Sequence, residues 1–213
     1  AMIIADFSGS EAEELRRALW HYGVLFAREQ HLPPAQHMKV ASYFGDELEK
    51  HAFGKSLADQ GFPEVVKIEM VFTDKGKLTT DHWHHDVTGR KHPTLMSVLQ
   101  AVEVPFGADT MWASASGAWD LLPHALKLMF LNLDIEHDAV YAVLRHGFAN
   151  AIEMAQKLMS AGEANTHPAV IHHPYTGRPC LFVGNGYPRR VLGFPTDLSE
   201  LVLKLANELP KLP

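Results

Sequence analysis

His82-Trp83-His84-His85-Asp86-Val87-Thr88-Gly89 is the most informative stretch of this 213-residue chain, and its reading governs the rest. On an extended chain, side chains two apart share a face about 7 Å apart along the strand. His84 and Asp86 therefore point one way, and Trp83 and His85 the other. A His-x-Asp pair supplies two legs of a two-histidine, one-carboxylate facial triad, which leaves three positions open on an Fe(II) ion. The third ligand has to come from elsewhere in the fold. His82 lies on the His84 face, but positions four apart on a straight strand are about 13 Å from each other. A single metal with bonds near ~2.1 Å does not span that distance. By itself the spacing occurs by chance in many proteins, and solvated histidines at a strand end account for it equally well.

The composition is that of an ordinary globular protein, with 46% hydrophobic and 21% charged residues. A net charge of −6 gives no electrostatic footprint for nucleic acid. No run approaches the ~18 apolar residues that a membrane span requires. The N-terminus lacks the basic start and apolar core of a signal peptide, and the single cysteine, Cys180, excludes an internal disulfide. These features predict a cytoplasmic protein of small-molecule chemistry, with no nucleic-acid or membrane partner. The 14 histidines are numerous for this length but dispersed, apart from the knot at 82–85.

Outward from that knot, Thr94-Leu95-Met96-Ser97-Val98-Leu99-Gln100-Ala101-Val102 reads as a long strand, and Thr110-Met111-Trp112-Ala113 as a short one. Upstream, a capping box at Ser10-Glu11-Ala12-Glu13 predicts a helix ended by Gly23. Val24-Leu25-Phe26-Ala27 reads as a buried strand, Pro33-Pro34 opens a second helix, 46–64 reads as a loop, and 65–72 as a strand. Downstream, helices are expected near 116–122, 123–131 and 149–161, with a strand near 133–137. A hairpin follows through Ala169-Val170-Ile171-His172, a turn at Tyr175-Thr176-Gly177, and Cys180-Leu181-Phe182-Val183. A last helix carries Leu201, Val202, Leu205 and Leu209, capped by Asp197 or Ser199. Strands and helices do not alternate as in a doubly wound sheet. The expected class is α+β, a mainly antiparallel sheet or barrel with helices packed outside.

The neighbourhood of the pair adds a resemblance. Trp83-His84-His85-Asp86-Val87-Thr88, then Gly107-Ala108-Asp109-Thr110-Met111-Trp112, and later His167-Pro168-Ala169-Val170 with Thr176-Gly177-Arg178-Pro179-Cys180-Leu181-Phe182-Val183, resemble the taurine dioxygenase and 2,4-D dioxygenase (TauD/TfdA-like) family of Fe(II)/2-oxoglutarate-dependent oxygenases. The resemblance implies a double-stranded β-helix (jelly roll) with flanking helices, a single oxygenase-like domain over 1–213. It implies His84 and Asp86 as iron ligands, Thr110 as a donor to the cosubstrate 2-oxoglutarate, and Thr80 and Val87 near the substrate. The implied reaction is hydroxylation of a small organic substrate by O₂, with 2-oxoglutarate decarboxylated to succinate.

The family's distal histidine, its 2-oxoglutarate-binding arginine and its C-terminal strands have no counterpart in the sequence. Three readings follow: a piece of a longer enzyme, a short paralogue whose third ligand is His172, His173 or a partner's, or a catalytically inactive member acting as a binding or scaffold protein. Exposed edge strands would favour a homo-oligomer. A zinc hydrolase fits less well, since the nearest downstream glutamate, Glu103, lies beyond a predicted strand.

Overall fold

Ser8 is the residue that starts the first helix. Its backbone is extended, and its amide donates to the Glu11 carboxylate at 2.7 Å, so the cap lies two residues before the expected one. Ser10 is already helical and cannot serve. Helix α1 (Gly9–Tyr22) ends at Gly23, whose left-handed φ of 76° brings its N–H within 2.7 Å of the Leu19 carbonyl. The computed structural model describes residues 3–51, 55–69, 82–146 and 151–209. They fall into two compact units, Ala1–Glu69 with Leu95–Trp112, and Met70–Thr94 with Ala113–Pro213.

The first unit holds α1, α2 (Pro34–Ser42) and an antiparallel hairpin of β1 (Lys55–Leu57) and β2 (Phe62–Lys67). The hairpin corrects the expectation of a loop over 46–64, and β2 starts three residues before the predicted strand. Ala5, Leu32 and Val40 form a small core against Ile4, Tyr43, Phe44 and Val98. The predicted strands at 24–27, 94–102 and 110–113 form no ladder among the described residues. Over 94–100, half-buried and exposed residues still alternate, as a strand's do. Its polar groups are met differently: Gln100 uses its side-chain amide to bond the Leu32 N–H and C=O, both at 3.1 Å, and His37 Nε2 donates to the Val98 carbonyl at 3.0 Å. An apolar alternating run predicts the extended backbone, but only a partner strand makes it a ladder.

The second unit carries the larger core. Helix α3 (Ala115–Leu121) is capped by the Ser114 hydroxyl, which accepts from the Gly117 amide at 3.0 Å, and α4 (His124–Leu131) follows Pro123. Next come β3 (Asp134–Asp138), α5 (Ala139–His146), α6 (Ala151–Ala161) and β4 (Ala164–Pro168). Strands β5 (Val170–His172) and β6 (Pro179–Leu181) make the expected hairpin, with Ile171 opposite Cys180. Strand β7 (Pro188–Val191) completes a three-stranded antiparallel sheet in the order β4-β3-β7. Helix α7 (Thr196–Glu208) closes the described chain. Ser199 is not its cap. Pro195 is, and the buried Ser199 hydroxyl accepts the Val191 amide at 2.8 Å, tying α7 to β7. Phe130 and Ile135 are fully buried, with Leu181, Val183, Val191 and Val202 around them. Among the described residues no helix is long and apolar enough to cross a membrane.

Candidate metal centre

Residues 83–85 have no regular secondary structure and lead into a turn over 86–89, so His84 sits just before the turn and Asp86 opens it, in the second unit. The two side chains meet although no strand forms there: His84 Nε2 lies 3.4 Å from Asp86 Oδ1. The other ring nitrogen, Nδ1, donates to the His82 carbonyl at 2.8 Å, which fixes the tautomer and turns Nε2 toward the carboxylate. Asp86, hydrogen-bonded to it, holds the His84 imidazole above its ordinary pKa. Two donors on one cation with bonds of about 2.1 Å are about 3.0 Å apart at a right angle and about 3.4 Å apart at a tetrahedral one. The pair therefore fits a single ion without moving either side chain far. A backbone-anchored Nδ1 is the support that metal-binding histidines usually have.

The chain approaches this pair closely from behind. Trp83 C=O accepts the Asn185 amide at 2.8 Å, and a Cβ added at Gly184 would stand 3.4 Å from His84 Cα. His85 points the other way, as expected. It is hydrogen-bonded to the Val183 and Leu181 carbonyls, its ring 5.2 Å from Phe182, and burial lowers its pKa. His82 also departs from straight-strand geometry, with its ring 5.0 Å from that of His84. Even so, no group of three histidine, cysteine, aspartate or glutamate side chains converges as a metal site among the described residues. His172 is exposed on β5, and His173 Nδ1 accepts the Tyr175 and Thr176 amides at 3.3 Å, a turn-capping role.

The remaining residues singled out by sequence are distributed as follows. Thr110 is exposed in the first unit. Val87 is 4% exposed, with φ of 46°, a left-handed value. Thr80 lies outside the described residues.

Sequence reasoning missed the buried polar cluster beneath the turn. His137 Nδ1 bonds Thr88 Oγ1 at 2.8 Å, and its buried Nε2 has no hydrogen-bond partner among the described residues. The tautomer that leaves no N–H orphaned puts the proton on Nδ1, donating to Thr88. Burial, with His167 and His85 nearby, pushes the His137 pKa down to about 3. Tyr187, hydrogen-bonded to the Val87 backbone, has its phenol pushed up to about 12 by burial, then by the charge of Asp86. Thr88 and His167 lay in the family-like segments and His137 in a predicted strand, but nothing in the sequence signalled that they meet.

A metal-sized gap between an imidazole and a carboxylate is shared by unrelated proteins, so its meaning rests on the surrounding chain. The profile of the "Taurine catabolism dioxygenase TauD, TfdA family" matches residues 4–212. An "Alkylsulfatase" of Acinetobacter baylyi is 29% identical over 96% of this chain and 64% of its own length. An "Alpha-ketoglutarate-dependent sulfate ester dioxygenase" of Pseudomonas putida is 27% identical, over 97% of this chain and 68% of its own. A solved taurine dioxygenase from Burkholderia xenovorans superposes with a TM-score of 0.75 at 26% identity, covering 100% of this chain and 68% of that one. The chain spans 51% to 64% of the length of the first curated relatives it matches. With the profile running through both units and the His84–Asp86 pair inside it, the chain belongs to the TauD/TfdA family of dioxygenases.

Proposed function

We propose that this chain is part of an Fe(II)- and 2-oxoglutarate-dependent dioxygenase that hydroxylates a small organic substrate. The observation that carries the reading is the 3.4 Å approach of His84 Nε2 to Asp86 Oδ1 with Nδ1 already committed to the His82 carbonyl. In this reading both units belong to one oxygenase domain built as a jelly roll, supported by a family match that runs through both. His84 and Asp86 hold the iron. Bound there, iron together with 2-oxoglutarate and O₂ supplies the oxidising power for C–H hydroxylation, with the cosubstrate leaving as succinate and CO₂.

The chain's own residues bind and orient. The His82 carbonyl keeps the His84 proton on Nδ1, so Nε2 offers its lone pair. Tyr187 stays protonated beside Asp86, so it adds no second negative charge there. Thr110 is assigned to a carboxylate of 2-oxoglutarate, and Thr80 and Val87 to the substrate side, on the family resemblance. Relatives named for sulfate esters and sulfonates set the first substrate panel.

The test is an anaerobic titration with Fe(II) and 2-oxoglutarate, watched for the visible charge-transfer band of the chelate. The band is expected from the chain and not from Asp86→Ala. Retention of stoichiometric Fe(II) by Asp86→Ala would refute the ligand assignment.

A further inference from the structure

The turn that carries Asp86 is strained. Val87 has a φ of 46°, a left-handed value that a β-branched residue rarely adopts, and it is buried. Such a conformation persists only where its surroundings over-determine it. Here they do so through side chains on one face of the β3–β4 ladder. His137 pairs with Asn165 across the two strands, and Ile135 with His167, so these four share a face.

Three of the four reach the turn. Asn165 Nδ2 donates to the Gly89 carbonyl at 2.6 Å. His167 Nε2 donates to two carbonyls at once, Thr88 at 2.9 Å and Arg90 at 3.0 Å. His137 donates to the Thr88 hydroxyl at 2.8 Å. Arg90 adds an ion pair to Glu163, just before β4, at 3.0 Å, and the Arg90 amide closes the turn on the Val87 carbonyl at 3.2 Å. Three successive carbonyls after Val87 are thus gripped by two side chains of one strand.

We propose that His167, Asn165 and His137 are positioning residues: they lock the 86–90 turn in its left-handed form and so aim the Asp86 carboxylate at the point where His84 Nε2 also looks. The inference rests on the metal-site reading above and adds to it residues 51 to 83 positions downstream of His84 and Asp86. A stretch with Val87 relaxed to ordinary β geometry would redirect the chain on one side of Asp86 and break the convergence. Outer supports of this kind are typically worth about 10- to 100-fold in metal affinity.

The test uses Mn(II) as the probe, titrated into the ¹⁵N-labelled chain and followed by paramagnetic broadening, with amide hydrogen exchange of residues 87–90 measured alongside. His167→Ala is expected to weaken Mn(II) at least tenfold and to speed exchange in the turn. His167→Gln, whose amide can still donate, is expected to restore both. Asn165→Asp, isosteric and unable to donate, is read in the same way, and it keeps the test decisive where His167→Ala does not fold. Unchanged turn exchange in folded variants overturns the clamp. Faster exchange with Mn(II) affinity within twofold of wild type overturns the positioning role. If instead Asp86→Ala binds Mn(II) as the wild type does, the metal-site reading fails, and the inference with it, by a result separate from the other two.

Discussion

Replacing Gly89 by alanine asks how tightly the turn is seated on the sheet. A Cβ at this position would lie 2.5 Å from the Glu163 carbonyl oxygen and 3.2 Å from the Ala139 Cβ. The first distance is about 1 Å inside the ~3.5 Å at which non-bonded heavy atoms pack best. The obstructing atom is backbone, and it is already engaged, accepting the Ala139 amide at 2.9 Å. No side chain can swing away, so the turn or the α6–β4 connection that holds Glu163 must shift. Overpacking of this kind costs about 1–3 kcal/mol. Weakening the Asn165 bond to the Gly89 carbonyl adds about 1 kcal/mol. A total of about 2–4 kcal/mol is a large share of a stability that is typically ~5–15 kcal/mol, and lowers Tm by roughly 5–15 °C. Urea unfolding at pH 7 measures it directly. Gly9→Ala is the control, since nothing stands within 4 Å of a Cβ there, and it should gain up to about 1 kcal/mol at the start of α1. A Gly89→Ala loss below ~0.5 kcal/mol, on the scale of ordinary surface changes, would refute the claim that the turn is pinned against the sheet.

Two further substitutions probe the scaffold. His137 has a folded pKa of about 3 against an ordinary 6.5, so between those values the unfolded chain binds the extra proton. Its contribution is complete above pH 6.5 and is lost as pH falls, by up to about 1.4 kcal/mol per pH unit. His137→Gln should flatten the decline in urea stability between pH 7 and 5, and parallel slopes in the two proteins would count against the burial argument. Ser8→Ala removes the cap's hydroxyl, which bonds the Glu11 carboxylate at 2.7 Å. It should cost about 1 kcal/mol in thermal melting, whereas Ser10→Ala, one residue inside the helix, should cost less.

What could be read in advance divides along physical lines. The approach of His84 to Asp86 was legible because the two residues are neighbours in sequence, although 83–85 form no ladder and Asp86 already lies in the turn. The β5–β6 hairpin was legible for the same reason: Gly177, with φ of 68°, permits the turn locally, and the strands it joins are neighbours in sequence. The strands expected at 24–27, 94–102 and 110–113 illustrate the limit. Alternation identifies the backbone conformation, but pairing is a property of two segments, and at 98–100 the side chains of Gln100 and His37 do part of what a neighbouring strand would. The grip on the turn lay beyond reach for a stronger version of that reason. Asn165 and His167 are ordinary polar residues of a short strand whose value comes from carbonyls 76 and 79 residues earlier in the chain. The strained Val87 has no sequence signature, since valine is among the residues least expected at a positive φ. Two side chains that lie close together can be read where they are neighbours in sequence. The geometry that makes those side chains converge is set by the sheet behind them, and there the fold contributes to the chemistry.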